Sequence, residues 1–260
     1  MSSTCLVVRT PSGLSGDMLL TGLTQLTETS DSELDALVDS IGVPALAGSL
    51  HIQPYTLNGI SGWRAHVDLP HQHEHRTFRS IVQLIQASGL QPAAKQLAID
   101  AFTILANAEG HVHGHPTDDV HFHEVGALDS ILDICLAAAL LNKLAVTTVW
   151  CSALPMCDGI IKCQHGLLSS PAPAVQEMLR GIPVYGVDAE GETVTPTALA
   201  FLKAAKAHFG KWPECTIRRH TRVYGGKIFP NLPNGALFFS VELVATRRLD
   251  VHHHSLEHPH

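Results

Sequence analysis

The 260-residue chain has no run approaching the roughly 20 uninterrupted apolar residues of a membrane-spanning helix. Its first residues, MSSTCLVVRTPSG, lack the basic stretch and long apolar stretch of a secretory leader, so a cytoplasmic location is expected. It also has no basic run and no interleaving of aromatic with basic residues, and 17 Lys+Arg against 24 Asp+Glu leave a net charge of −7. Nucleic acid is therefore not an expected partner, and neither is a membrane. Six cysteines contain no CxxC pair, which removes a zinc ribbon and a thioredoxin-like motif. Cys151, Cys157 and Cys163 are regularly spaced, but the spacing fits no common metal knuckle, and a cytosolic chain keeps such residues as thiols. No internal repeat and no convincing linker interrupts the chain. With 45% apolar residues, ample for a packed core, the expectation is one α+β domain over residues 1–248 and a polar, His-rich tail over 249–260.

Local pattern supplies the elements. CLVVRT reads as a strand, PSGLSGD as a glycine-serine loop, and MLLTGLTQL as the apolar start of a helix. Strand, loop and helix in that order offer backbone N–H groups and a positive helix end to an anion. SELDALVDSIG reads as a helix closed by Gly42. Asn58-Gly59 joins two strands, because that pair supplies the positive φ of a tight hairpin. RTFRSIVQLIQASG reads as a helix, and Pro92 opens another that runs into a histidine cluster. A nearly all-apolar, buried helix is expected from about Asp129 to Leu144. GIIKCQHGLL reads as strand, SSPAPAVQEMLRG as a Ser-capped helix, and Thr195 opens a helix in TPTALAFLKA. ECTIRRHTRVYGG and ALFFSVELVATRR alternate and are expected to pair.

What the chain has in abundance is histidine: 18, against 17 Lys and Arg together. Thirteen fall in three groups: His71, His73 and His75; His111, His113, His115, His121 and His123; and His252, His253, His254, His258 and His260. Imidazole suits nickel, zinc and copper. The middle group is followed by Glu124, Asp129 and Asp133. As a strand, VHFHEV puts His121 and His123 on one face, and with Glu124 they make a nitrogen–oxygen metal site. Asp129 and Asp133 stand one helical turn apart, and acids on a buried helix require partners or a metal. A solvated His-rich loop is the competing reading, with HVHGHP as its mobile part. HQHEH is weak alone, and the tail serves at most to gather metal.

The loop GLSGDM, with Gly13, Ser15, Gly16 and Asp17, fits neither the Walker A nor the dinucleotide pattern. A tight turn with Asp17 as helix cap competes evenly with phosphate binding. In KCQHG, Lys162 and His165 suit an anion clamp and an acid–base or ligand pair, although an edge strand explains them nearly as well. Thr195 and Thr197, with Glu192, surround a helix start, where capping is the default and phosphate contact the minority reading.

Taken in order, GLSGDMLL, HEHRTFRSIVQLI, HVHG with VHFHEVGALDSILDI, KCQHGLLSSPAPAVQEMLRGIPVY, EGETVTPTALAFLKA and YGGKIFPNLPNGALFF resemble the LarC family of nickel-insertion proteins over residues 5 to 240. The resemblance implies a metal-inserting, chelatase-type lyase. It would place Ni(II) between the two sulfurs and the ring carbon of a pyridinium-3,5-bisthiocarboxylic acid mononucleotide, using CTP with Mn or Mg. The finished nickel-pincer nucleotide cofactor would go to a lactate racemase-type apoenzyme. It also implies a C-terminal CTP-binding domain as partner, expected to be absent from this sequence, and a homo-oligomer is expected. The family's metal-rich segment falls on His111, His113, His121, His123 and Glu124, with Asp129 following. Its SGDM loop falls on Ser15, Gly16 and Asp17. Two stretches depart from the family pattern: VTPTALAFL, and VYGGK where a longer Gly-rich loop is usual.

Chemically, borderline ligands such as His121, His123 and Glu124 hold nickel firmly enough to deliver it and weakly enough to lose it to two sulfurs and a carbon. Asp17, Asp129 or His165 is the candidate base for the ring proton. Backbone amides around Gly13, Ser15 and Gly16, with Lys162, Thr195 and Thr197, are the candidates for holding the mononucleotide. The rival readings are a nickel storage protein or metallochaperone without catalysis, and a hydrolase-like enzyme using metal-bound water.

Overall fold

The computed structural model describes residues 4–69, 76–122, 126–163 and 166–244, without the side chains of Asp119, Lys162 and Cys163. The elements run β1 (Thr4–Arg9), α1 (Gly16–Leu26), α2 (Asp31–Ser40), β2 (Leu50–Leu57), β3 (Ile60–Val67), β4 (Arg76–Thr77), α3 (Phe78–Ala87), α4 (Pro92–His113), β5 (His121–Phe122) and α5 (Leu128–Leu144). They continue with β6 (Thr148–Cys151), β7 (Leu154–Met156), β8 (Ile160–Cys163), β9 (Gly166–Ser169), α6 (Pro173–Met178), β10 (Val184–Gly186), α7 (Pro196–Ala204), β11 (His208–Phe209), β12 (Cys215–Val223) and β13 (Ala236–Leu243). This is the α+β architecture expected from the sequence.

A seven-stranded mixed sheet runs β11-β6-β1-β13-β12-β3-β2. β1 is its pivot, parallel to β6 on one side and antiparallel to β13 on the other. β12 and β13 pair antiparallel as expected, with a register shift between Ile217 and Arg219. Asn58 and Gly59, at φ 51° and 76°, turn β2 into β3 as the Asn-Gly signal requires. Because strand side chains alternate, Leu6 and Val8 of β1 enter the main core while Cys5 and Val7 enter a small second cluster with Val241.

α1 lies on β3, β12 and β13 and packs beside α5, and α5 in turn packs on α4, which touches α3, α6 and α7. α5 is apolar on nearly every side, as read from the sequence, because it is enclosed by α1, α2, α4 and α7. Among the described residues no helix is long and apolar enough to cross a membrane.

Four local expectations are corrected. Ser15, not Asp17, is the N-cap of α1, and Asp17 sits in its first turn. His111 and His113 belong to the last turn of α4 rather than to a mobile loop, because the helix stops only at Gly114, whose φ of 68° no longer continues it. GIIKCQHGLL is two strands, β8 and β9, paired antiparallel from Ile160↔Ser169 to Cys163↔Gly166. α6 is capped at Ala172 without a side-chain bond, and the Ser170 hydroxyl ahead of it donates instead to Gly191 O at 2.9 Å.

Candidate functional site: a cavity between two helix starts

The site is built where the β1–α1 loop meets the loop before α7. Thr10, just past β1, is fixed by Ser152, whose Oγ accepts its backbone N–H at 3.0 Å and lies 2.8 Å from its hydroxyl. The chain then turns at Gly13, φ 117°, where any Cβ would overlap the Thr193 carbonyl oxygen. Only glycine permits this approach. Leu14 N–H donates to Thr193 O at 2.9 Å and Thr195 N–H donates to Leu14 O at 3.1 Å, forming a parallel bridge Leu14↔Val194. Thr193 is anchored from the other side by its hydroxyl, which donates to Pro155 O at 2.7 Å.

That bridge sets Ser15 and Thr195, the N-caps of α1 and α7, on the wall of one cavity of about 360 Å³. The Thr195 hydroxyl caps α7 by accepting from Ala198 N–H at 3.3 Å. Pro196 has no N–H, so the Thr197 N–H is a first-turn donor of α7, while the Thr197 residue itself is buried. Ser15 gives no such cap. Its hydroxyl donates to the Asp17 carboxylate, which also lines the cavity. Burial pushes the Asp17 carboxyl above its ordinary range, opposed by that hydrogen bond, by the Met18 N–H and by the Arg64 guanidinium.

The opposite wall is Tyr224 to Phe229 with Gly235. Tyr224 is held by its N–H donating to Trp63 O at 2.8 Å and its hydroxyl donating to Ile60 O at 2.9 Å. A Cβ on Gly225 would stand 3.0 Å from Met18 Sδ and 3.3 Å from Ser15 Oγ, so this glycine brings β12's end against α1. Lys227 contributes a cation, its Nζ donating to Glu190 O at 2.6 Å and lying 4.8 Å from the Phe229 ring centre. Arg64 reaches the same loop at Gly226 O, 3.4 Å away.

Behind the cavity stands α5. A Cβ on Gly16 would overlap the Asp133 carboxylate, so Gly16 allows the α1–α5 approach. Asp133 Oδ1 is closed off from solvent without a hydrogen-bond partner. Burial first, then the negative charges of Asp17 and Asp129, hold this carboxyl well above the usual range. Asp129 is exposed, and its Oδ1 accepts the Ser130 N–H at 2.7 Å.

The candidate residues thus separate. Gly13, Ser15, Asp17 and Thr195 meet at the cavity, with Gly16 beneath it. Thr197 is buried in the first turn of α7, and Asp129 sits at the start of α5. Lys162 pairs with Leu167 in β8. His165, His123 and Glu124 lie outside the described residues, as do His71, His73, His75 and the tail. His111 and His113 are two residues apart on α4, a spacing that points side chains away from each other, and they face different acids: Glu177 at 3.6 Å and Glu109 at 3.4 Å. His121 is exposed on β5. Among the described residues no three His, Cys, Asp or Glu side chains are grouped to hold a metal ion.

Sequence reasoning missed Arg64 and undervalued Lys227. A Gly-Gly-Lys following a strand is a usable signal for an anion loop, whereas nothing in the hairpin around Arg64 advertises it.

Comparison with known proteins adds the missing dimension. The family model described as nickel insertion protein matches residues 6–254. A "pyridinium-3,5-bisthiocarboxylic acid mononucleotide nickel insertion protein" of Staphylococcus epidermidis is 38% identical over 225 residues, covering 85% of this chain and 55% of the relative. A "putative nickel insertion protein" of Geotalea daltonii is 37% identical over 222 residues, covering 85% and 57%. The chain therefore spans little more than half the length of these relatives. No solved structure matches it. With a family model matching nearly its whole length, the chain belongs to the nickel insertion protein family.

Proposed function

We propose that the chain carries the substrate-holding and nickel-handing steps of a chelatase-type insertion of nickel into pyridinium-3,5-bisthiocarboxylic acid mononucleotide, the molecule in the Staphylococcus epidermidis relative's name. The observation that carries this reading is the cavity between the α1 and α7 starts, with Lys227 on one side and Asp17 on the other. The Gly225–Gly226 backbone, the start of α7 and Lys227 suit the mononucleotide phosphate, since helix starts and cations both favour an anion. Asp17 is the favoured base among Asp17, Asp129 and His165, because of the two that are described, Asp17 and Asp129, it is the one that lines the cavity. In the proposed step the ring carbon keeps its C–H electron pair for the new Ni–C bond, and the proton passes to the Asp17 carboxylate. No oxidation state changes. A carboxyl with a raised pKa is the stronger base for that transfer.

Nickel enters as substrate. His121, with His123 and Glu124, is proposed to hand it over, and His111 and His113 to collect it nearby. His121 stands on β5, where it pairs with Thr77 of β4. The described residues group no ligands for the Mn or Mg ion that accompanies CTP. The proposed steps of this chain involve neither, and CTP dependence is assigned to the part of the longer relatives that this chain does not span. The finished cofactor is proposed to serve a lactate racemase-type enzyme.

The experiment combines the chain, Ni(II) and the dithio mononucleotide, with and without CTP and a separately expressed C-terminal domain, and follows cofactor formation through racemase activation. Activation that is lost with Lys227→Ala and Asp17→Asn supports the proposal. Tight nickel binding with no activation in any combination would support storage instead.

A further inference from the structure

A second crevice, of about 480 Å³, opens at the carboxyl ends of the three parallel strands β1, β6 and β11. Arg9 ends β1, Ser152 follows β6, and Lys211 and Trp212 follow β11. In sheets with parallel strands this edge is where ligands collect, because the strand ends and the loops after them diverge around an open space. Among the described residues two cations line it, Arg9 and Lys211, and no carboxylate does, although the chain as a whole carries a net charge of −7.

Its aromatic surfaces are out of the core yet held in place. Trp212 is 44% exposed and Tyr185 41% exposed. The Arg9 guanidinium lies 5.3 Å from the Trp212 ring centre while its Nη1 donates to Gly210 O at 2.9 Å. The Tyr185 hydroxyl donates to Pro11 O at 3.4 Å. Large rings left at a water-facing surface and fixed by polar contacts are what a planar ligand needs, since little side-chain freedom remains to be lost on binding. Positive charge without opposing acid selects an anion.

The geometry points to a second binding site here, for an anionic ligand with a planar aromatic ring. It is distinct from the cavity between α1 and α7, and the β1–α1 loop divides the two: Pro11 faces this crevice and Ser12 the other. Its volume suits one small ligand such as a nucleotide or an aromatic acid. The anion is a phosphate in the first case and a carboxylate in the second. Neither source depends on the chain's inserting nickel.

The test titrates adenosine monophosphate and, separately, pyridine-3,5-dicarboxylate into the full chain by calorimetry, with tryptophan fluorescence as a second readout. At least one probe is expected to bind, with affinity weakened about tenfold or more by Lys211→Glu and by Trp212→Ala and changed less than about twofold by Lys227→Ala in the other cavity. Binding of the monophosphate alone assigns the phosphate source; binding of the dicarboxylate alone assigns the carboxylate source. Lys211 and Trp212 are exposed, and Lys211→Gln with an unchanged melting temperature separates lost binding from lost folding. The inference is overturned if neither probe binds, or if binding survives Lys211→Glu and Trp212→Ala while Lys227→Ala removes it.

Discussion

The end of α4 and the start of α1 invite opposite judgements from sequence and from structure. The first is crowded with histidine, yet its helical spacing sends His111 and His113 to different acids, 3.6 and 3.4 Å away. The second has an unremarkable composition of glycine, serine and one aspartate. It is nevertheless stitched to a loop 180 residues later by the Leu14↔Val194 bridge and opens onto a cavity shared by two helix starts. Abundance of ligand atoms is a property of the chain; convergence is a property of the backbone that aims them.

The strongest way to break this contrast is at Asp17. Asp17→Asn is expected to slow cofactor formation by about 100-fold or more, the usual reach of a positioned base, while mononucleotide affinity by calorimetry stays nearly constant. An equal loss in both would make Asp17 a binding group. Next comes Gly13→Ala, where a strained φ of 117° and overlap with Thr193 O act together. A loss of about 3 kcal/mol, read as a fall in melting temperature on the order of 10 °C, is expected. On the histidine side, His121→Ala with His123→Ala should abolish tight nickel binding, whereas His111→Ala with His113→Ala should weaken it by no more than about threefold. Reversal of those two results would restore the α4 end as the principal site.

The smallest effect sharpens the description of the cavity's back wall. Asp133 has a raised pKa in the folded chain, so the folded state binds more protons than the unfolded state above the ordinary carboxylate range. Stability is therefore full at acid pH below that range and declines as pH rises through the folded pKa. Asp133→Asn, which cannot ionise, should match the parent near pH 4 and exceed it at pH 7 by a melting-temperature difference on the order of 3 °C. A variant less stable at both values would mean that the carboxylate has a partner in solution.

Much of the fold was legible because its signals are local. Asn58-Gly59 demanded a hairpin, Pro92 a helix start, and the apolar run after Asp129 a buried helix, and all three stand in the structure. Where single residues were asked to mark a boundary, neighbours decided otherwise. Asp17 lost the cap of α1 because Ser15 has the extended backbone, ψ 168°, that a cap requires. The anion loop was legible as glycines and a serine ahead of a helix, but its opposite wall was not. Tyr224 and Lys227 reach the cavity, and Arg64 the loop that walls it, through the pairing of distant strands, and no window of sequence contains that pairing.

The position of β1 has a consequence for how the protein comes into being. β1 is synthesised well before β13, residues 236–243, which completes one of its two edges. Until then a nascent polypeptide carries an apolar strand with open backbone groups, the kind of surface that chaperones shield and that aggregation exploits. The Leu14↔Val194 bridge imposes the same order on the cavity. Assembly of the sheet is therefore expected to wait until β13 has been made, and a chain interrupted before β13 is expected to be cleared rather than to persist as a partly working fragment.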